Sequence, residues 1–180
     1  MGETRIAMVD GTSRPVADIA EGDFVIGDDG RVNRVLGIDR LTLDDRLLYG
    51  FNGSQPFVTA SHPFMTEDGW KAIDPTHSYT DHRVPAVGQL EIGNRLVLLS
   101  KVRIAAAIGG TTMRETSLDI QTESHPLVSV ERVSAPASTA LFNLRLDGNH
   151  TYFANDLLVH NKIFQVMLPG DGGVPTIGGF

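Results

Sequence analysis

Dipeptides in which Asp or Asn precedes Gly punctuate this chain, among them Asp10-Gly11, Asp29-Gly30, Asn52-Gly53, Asp68-Gly69 and Asp147-Gly148. Gly reaches positive φ without steric cost, and Asn and Asp tolerate it better than most side chains, so each pair reads as a hairpin turn. Around them lie short runs bounded by turn residues, most of them alternating apolar with polar side chains. They are Arg5 to Val9, Asp23 to Ile26, Arg31 to Ile38, Arg46 to Phe51, Pro56 to Thr59, Arg95 to Val102, Leu127 to Val133, Leu141 to Leu146, Thr151 to Ala154 and Leu157 to His160. A period of two is the mark of a strand with one face buried. No run with a 3.6-residue period is long enough for a core helix, and Val16 to Ala20 suffices for one turn. The expected fold is all-β, a strongly curled set of antiparallel strands.

A chain of 180 residues with 41% apolar side chains suits one domain with an ordinary core. The formal charge is −7 and no Lys/Arg run occurs, so a nucleic-acid or anionic-membrane surface would have to be built against the net field. No apolar run approaches the ~18 residues of a membrane span, and Met1 leads into a polar segment. The expectation is a soluble, cytoplasmic monomer that binds neither nucleic acid nor membrane. Cysteine is absent, so within these residues no disulfide, thiolate metal site or thiol nucleophile can form.

The segment with the most chemistry in it runs from His150 to Asn161, His150-Thr-Tyr-Phe-Ala-Asn-Asp-Leu-Leu-Val-His160-Asn161. The side-chain amide of an asparagine can attack its own backbone carbonyl, closing a succinimide ring and expelling the amine of the next residue. That reaction needs a polarised carbonyl, a proton for the leaving nitrogen and a held geometry, and a preceding histidine can supply the first two. Two further pieces are Phe57-Val-Thr59-Ala-Ser-His62-Pro63 and the opening Gly2-Glu-Thr4, followed by Arg14-Pro-Val16-Ala-Asp-Ile19.

In order and separation these three pieces resemble the blocks of the Hint superfamily, the self-processing domains of hedgehog proteins and inteins. That family opens on Cys-x-x-Gly-[Asp/Glu]-Thr, carries a Thr-x-x-His block in its first half and closes on a His-Asn block with a second histidine ten residues before. Gly69-Trp70 and Leu90-Glu-Ile-Gly93-Asn94 are smaller matches. The resemblance covers residues 2 to 161 and implies a horseshoe of antiparallel strands with pseudo-two-fold halves and chain ends close together. It divides the chain into a Hint domain, 1–161, and a Gly/Pro-rich flexible flank, 162–180. No endonuclease-sized insertion occurs, so the domain would be a minimal one.

The resemblance also implies roles. His62 would donate a proton to the nitrogen of an upstream peptide bond that Thr59 orients, and imidazole suits this because its ordinary pKa lies near neutrality. His160 would polarise the Asn161 carbonyl, and His150 would orient or deprotonate the Asn161 carboxamide. These groups are expected around one pocket.

Three departures stand out. The family's nucleophilic Cys would fall just upstream of Met1, as in a domain trimmed or mutated at its first catalytic residue. Asn143 stands where the family often has Asp and can only position groups. Lys162 replaces the Cys, Ser or Thr that accepts the upstream chain in splicing, and a protonated amine is a poor acceptor. The expected activity is autocatalytic, single-turnover cleavage after Asn161, without splicing, cofactor or metal, and with the flanking sequences in cis as the only partners.

A fold relic serving as spacer or interaction module is the first alternative, and a zinc hydrolase using His62, His77 and His82 is the second. The stretch Asp74 to His82, with Asp81 in it, otherwise reads as a solvated loop. Thr59-Ala-Ser-His62-Pro63 recurs as Thr122-Glu-Ser-His125-Pro126, which is either a trace of duplication or chance, and His125 is not placed in the active site.

Overall fold

The computed structural model describes residues 1–78, 86–103 and 118–161. Asp81, His82, Lys162 and the 162–180 segment lie outside these residues. The described part is built from strands joined by turns and three single-turn 3-10 helices. One of these helices is Val16–Asp18, within the stretch expected to form one turn.

The strands are β1 (Arg5–Ala7), β2 (Ser13–Pro15), β3 (Phe24–Ile26), β4 (Val32–Thr42), β5 (Leu48–Phe51), β6 (Phe64–Thr66) and β7 (Gly69–Ala72). They continue as β8 (Gly88–Gln89), β9 (Arg95–Arg103), β10 (Asp119–Pro126), β11 (Val130–Val133), β12 (Ala140–Leu146), β13 (Thr151–Ala154) and β14 (Leu157–His160). Pairing is antiparallel throughout, apart from the parallel contact of β7 with β8. The largest sheet runs β2-β1-β13-β14-β9-β6-β7-β8, with β10 added on β9. A second sheet orders β12-β4-β3, and β11 pairs with β5.

The turn residues do what their chemistry allows. Gly11, Gly30, Gly53, Gly69 and Gly148 all have positive φ, and Asp29 and Asn52 join their glycines in that region. The β13–β14 hairpin turns on Asn155 and Asp156, both left-handed and neither glycine. Asn155 ties this turn to β1: its side-chain Oδ1 accepts from the Arg5 N–H at 2.8 Å, and its own N–H donates to the Arg5 carbonyl at 2.7 Å.

β4 alternates cleanly at its start, with Asn33, Val35 and Gly37 turned inward. β13 and β14 are buried along their whole length because both faces of that hairpin are covered. The main core gathers Ile6, Met8, Val25, Val35, Phe51, Phe64, Leu144, Tyr152 and Val159. Phe51, Phe57 and Phe64 meet edge to face in it, with Phe51 and Phe64 centroids 4.9 Å apart.

The structure departs from the sequence reading in places. Pro56 to Thr59 forms no strand: Val58 makes a single bridge to Tyr49. β10 lies where no strand was expected, and β6 and β7 form a hairpin on Asp68-Gly69 that the alternation pattern did not show. The echo of residues 59–63 in 122–126 has no structural counterpart, since Thr59 to Pro63 is a turn and Thr122 to Pro126 is strand. His125 is half-exposed on β10 and faces Glu123 at 3.4 Å, away from the groups described next.

Candidate functional site

The residues singled out in the sequence fall into two neighbouring groups. The first lines a cleft of about 60 Å³ walled by Met1, Thr4, Thr59, His62, Asn143 and Tyr152, among others. Thr59 and His62 bracket a tight turn in which the His62 N–H donates to the Thr59 carbonyl at 3.2 Å. The His62 ring leans on Phe64, 5.8 Å between centroids. Met1 closes one side, its nitrogen donating to the Phe57 carbonyl at 3.2 Å. The Thr4 hydroxyl is buried at the cleft and makes no hydrogen bond among the described residues. Burial pushes the Tyr152 phenol well above its ordinary pKa, so it is a neutral wall at any working pH.

Asn143 enters from β12. Its Nδ2 donates to Asp39 Oδ2 at 3.2 Å, and Asp39 sits directly opposite it on β4. Asp39 also faces Arg145 at 3.4 Å. The position that holds a carboxamide thus has a carboxylate beside it, brought there by strand pairing.

The second group closes the β13–β14 hairpin. His160 is 3% exposed and Asn161 is 6% exposed. His160 Nδ1 lies 2.8 Å from the Asn161 carbonyl oxygen. A carbonyl oxygen only accepts, so in this pose Nδ1 carries the hydrogen and draws electron density from that carbonyl. The Asn161 N–H donates to the His150 carbonyl at 2.8 Å. The His150 and His160 rings stand 6.1 Å apart, and the edge of Trp70 meets His160 at 5.4 Å. Asn161 Oδ1 is buried and makes no hydrogen bond among the described residues. Strand β14 links the two groups: Val159 lines the cleft, and the His160 N–H donates to the carbonyl of Pro63, the neighbour of His62. Met1 and Asn161 therefore lie in neighbouring parts of one region.

No family model matches the chain. Among solved structures, the Ssp DnaB mini-intein variant M86 has a TM-score of 0.57 and is 20% identical, over 91% of this chain and 93% of that one. The gp41-1 intein has a TM-score of 0.55 at 18% identity, over 89% of this chain and 95% of that one. The chain has the Hint fold of the inteins. A DnaB intein from Synechocystis sp. PCC 6803 is similar at a TM-score of 0.50 and 19% identity, over 90% of this chain and 96% of that one. Among curated proteins, iron-sulfur cluster assembly SufBD family proteins of Mycobacterium tuberculosis (strain ATCC 25618 / H37Rv) and Mycobacterium bovis are 36% identical over 83 residues. That match covers 37% of this chain, which spans only 10% of the length of those relatives.

Sequence reading had missed three groups of this Hint domain. Asp39 lies in a polar stretch of β4 that looks solvated. Trp70 was noted only as part of a small match, and its contact with His160 needs the β6–β7 hairpin. Asn33, buried beneath His150, sits in an alternating run where nothing marks it. Among the described residues no three His, Cys, Asp or Glu side chains are placed to hold an ion, and His82 of the trio His62, His77 and His82 lies outside them. His77 instead bonds Asp74 Oδ2 at 2.7 Å, and hydrogen bonds from Thr76 and His77 hold the Asp74 carboxyl below the usual range. Among the described residues no helix is long and apolar enough to cross a membrane.

Proposed function

We propose that this domain is self-processing and that its chemistry is cleavage of the bond after Asn161 by asparagine cyclisation. The observation that carries the reading is the 2.8 Å contact of His160 Nδ1 with the Asn161 carbonyl oxygen inside a buried setting. In the reaction Asn161 Nδ2 attacks its own carbonyl carbon and a five-membered succinimide closes. The carbonyl carbon's bond to the Lys162 nitrogen breaks, and that nitrogen leaves as an amine after gaining a proton. His160 stabilises charge on the carbonyl oxygen, and His150, whose carbonyl holds the Asn161 N–H, orients the carboxamide or takes its proton. No cofactor is needed.

In this reading Thr59 and His62 face the bond to an upstream flank across the cleft. The 180 residues hold no thiol to start an N-to-S acyl shift, and Lys162 is a poor acceptor, so ligation of flanks is not expected. Whatever the host chain, the partners are the flanking sequences in cis.

Mass spectrometry of freshly purified protein, followed through days at 37 °C across pH 5 to 8, tests the proposal. The expected products are a fragment ending in a succinimide or in Asn161, together with a peptide beginning Lys162-Ile163-Phe164. Asn161→Ala should abolish both. Intact protein throughout would instead support a domain that has lost processing and serves as a spacer or interaction module, a reading that the absence of cysteine and the carboxamide at Asn143 favour.

A further inference from the structure

β4 turns Asn33 into the interior, where it is 1% exposed. Burying a carboxamide is unfavourable unless its hydrogen bonds are made, and here they are made to one short segment. Asn33 Nδ2 donates to Asn149 Oδ1 at 2.6 Å and to the Thr151 carbonyl at 2.8 Å. Asn33 Oδ1 accepts from the Asn149 N–H at 3.4 Å. The Thr151 hydroxyl completes the set, donating to Asn149 Oδ1 at 2.9 Å and accepting from the Asp28 N–H at 2.8 Å. Room for the carboxamide is made by two glycines: a Cβ at Gly148 would run into Asn33 Oδ1, and one at Gly27 into Asn33 Nδ2.

The residues gripped are the two that flank His150. His150 itself has φ 60°, a left-handed backbone that a non-glycine residue holds only when its surroundings impose it. Its carbonyl, aimed by that conformation, accepts the Asn161 N–H at 2.8 Å. Thr151 is at the same time the register partner of His160. One buried side chain thus fixes both residues beside His150, and through His150 the backbone of Asn161.

We propose that Asn33 is a positioning residue of the Asn161 centre, clamping Asn149 and Thr151 so that His150 keeps its left-handed conformation and holds Asn161 in place. This rests on the reading of Asn161 as the reacting residue, and the test separates the two.

In the non-cleaving Asn161→Ala chain, hydrogen exchange of the amide at position 161 is measured with and without Asn33→Ala. The expected result is a loss of protection of about tenfold or more at position 161, with the distant Tyr49 amide, bonded to Val58 O at 2.8 Å, unchanged. Should Asn33→Ala fail to fold, Asn33→Asp keeps the shape and the acceptor but cannot donate to Asn149 or Thr151, and the same local loss is expected. An unchanged amide at position 161 overturns the proposal whether or not the chain cleaves.

In the cleaving chain, Asn33→Ala should slow release of the Lys162 peptide about tenfold or more. In an Asn161→Ala chain that also carries His150→Gly, where glycine takes the left-handed conformation unaided, Asn33→Ala should cost the amide at position 161 less than about twofold in protection. An equal loss of protection with and without His150→Gly would show that Asn33 acts only through general stability. If the parent chain never cleaves, the reading of Asn161 falls, and the exchange measurement alone decides what Asn33 holds.

Discussion

His160 carries its effect through one nitrogen. With Nδ1 committed to the Asn161 carbonyl, replacing the ring by a methyl group removes the donor and leaves that carbonyl unpolarised. His160→Ala should slow cleavage by about 10²-fold or more while the fold persists, checked by release of the C-terminal peptide. A second single-residue effect concerns charge. Burial, with Asp29 adding to it, raises the Asp28 carboxyl above its ordinary range. A raised folded-state pKa means the folded chain favours the protonated acid: stability from it is present below about pH 3.8, the ordinary Asp value, and is lost as pH rises through the folded pKa. At neutral pH the carboxylate is therefore a cost. Asp28→Asn, which keeps the acceptor for the Asp29 N–H, should raise the melting temperature at pH 7, and the gain over the parent should vanish as pH falls below about 3.8.

The element that organises the site is the β13–β14 hairpin. Its sequence is legible because both strands are apolar runs, and their observed limits, Thr151–Ala154 and Leu157–His160, coincide with the expected ones. Its turn was not legible as a glycine turn, since Asn155 and Asp156 take left-handed φ of 48° and 63° themselves. Asp156 is exposed, and its carbonyl accepts the Leu99 N–H at 2.8 Å. Asp156→Gly should stabilise the protein by up to about 1 kcal/mol, and Asp156→Val should destabilise it by about 1 to 2 kcal/mol, both read from urea denaturation. β10 escaped notice for the opposite reason. Asp119–Pro126 is polar on both faces, and its strand form comes from pairing with β9, with an irregularity between Gln121 and Thr122. An exposed strand carries no hydrophobic period to read.

At the scale of the molecule, Phe64 joins parts that the sheets keep separate. It packs on Phe51 from the β5–β11 pair and on Phe57 from the segment before the cleft, and it supports the His62 ring. Phe64→Ala should cost about 3 to 5 kcal/mol of stability, measured by chemical denaturation, and it should also loosen the cleft.

The all-β class, most strands and the glycine turns could be read from the chain because each rests on local rules, a period of two and positive φ at Gly, Asn and Asp, whereas the candidate residues Thr59, His62, Asn143, His150, His160 and Asn161 rest on the family resemblance. What surrounds those residues could not be read from the chain. Asp39 meets Asn143 across 104 residues of chain, and Asn33 meets Asn149 across 116. Such contacts follow from register and sheet path. Strand pairing, not sequence distance, decides which side chains share a cavity.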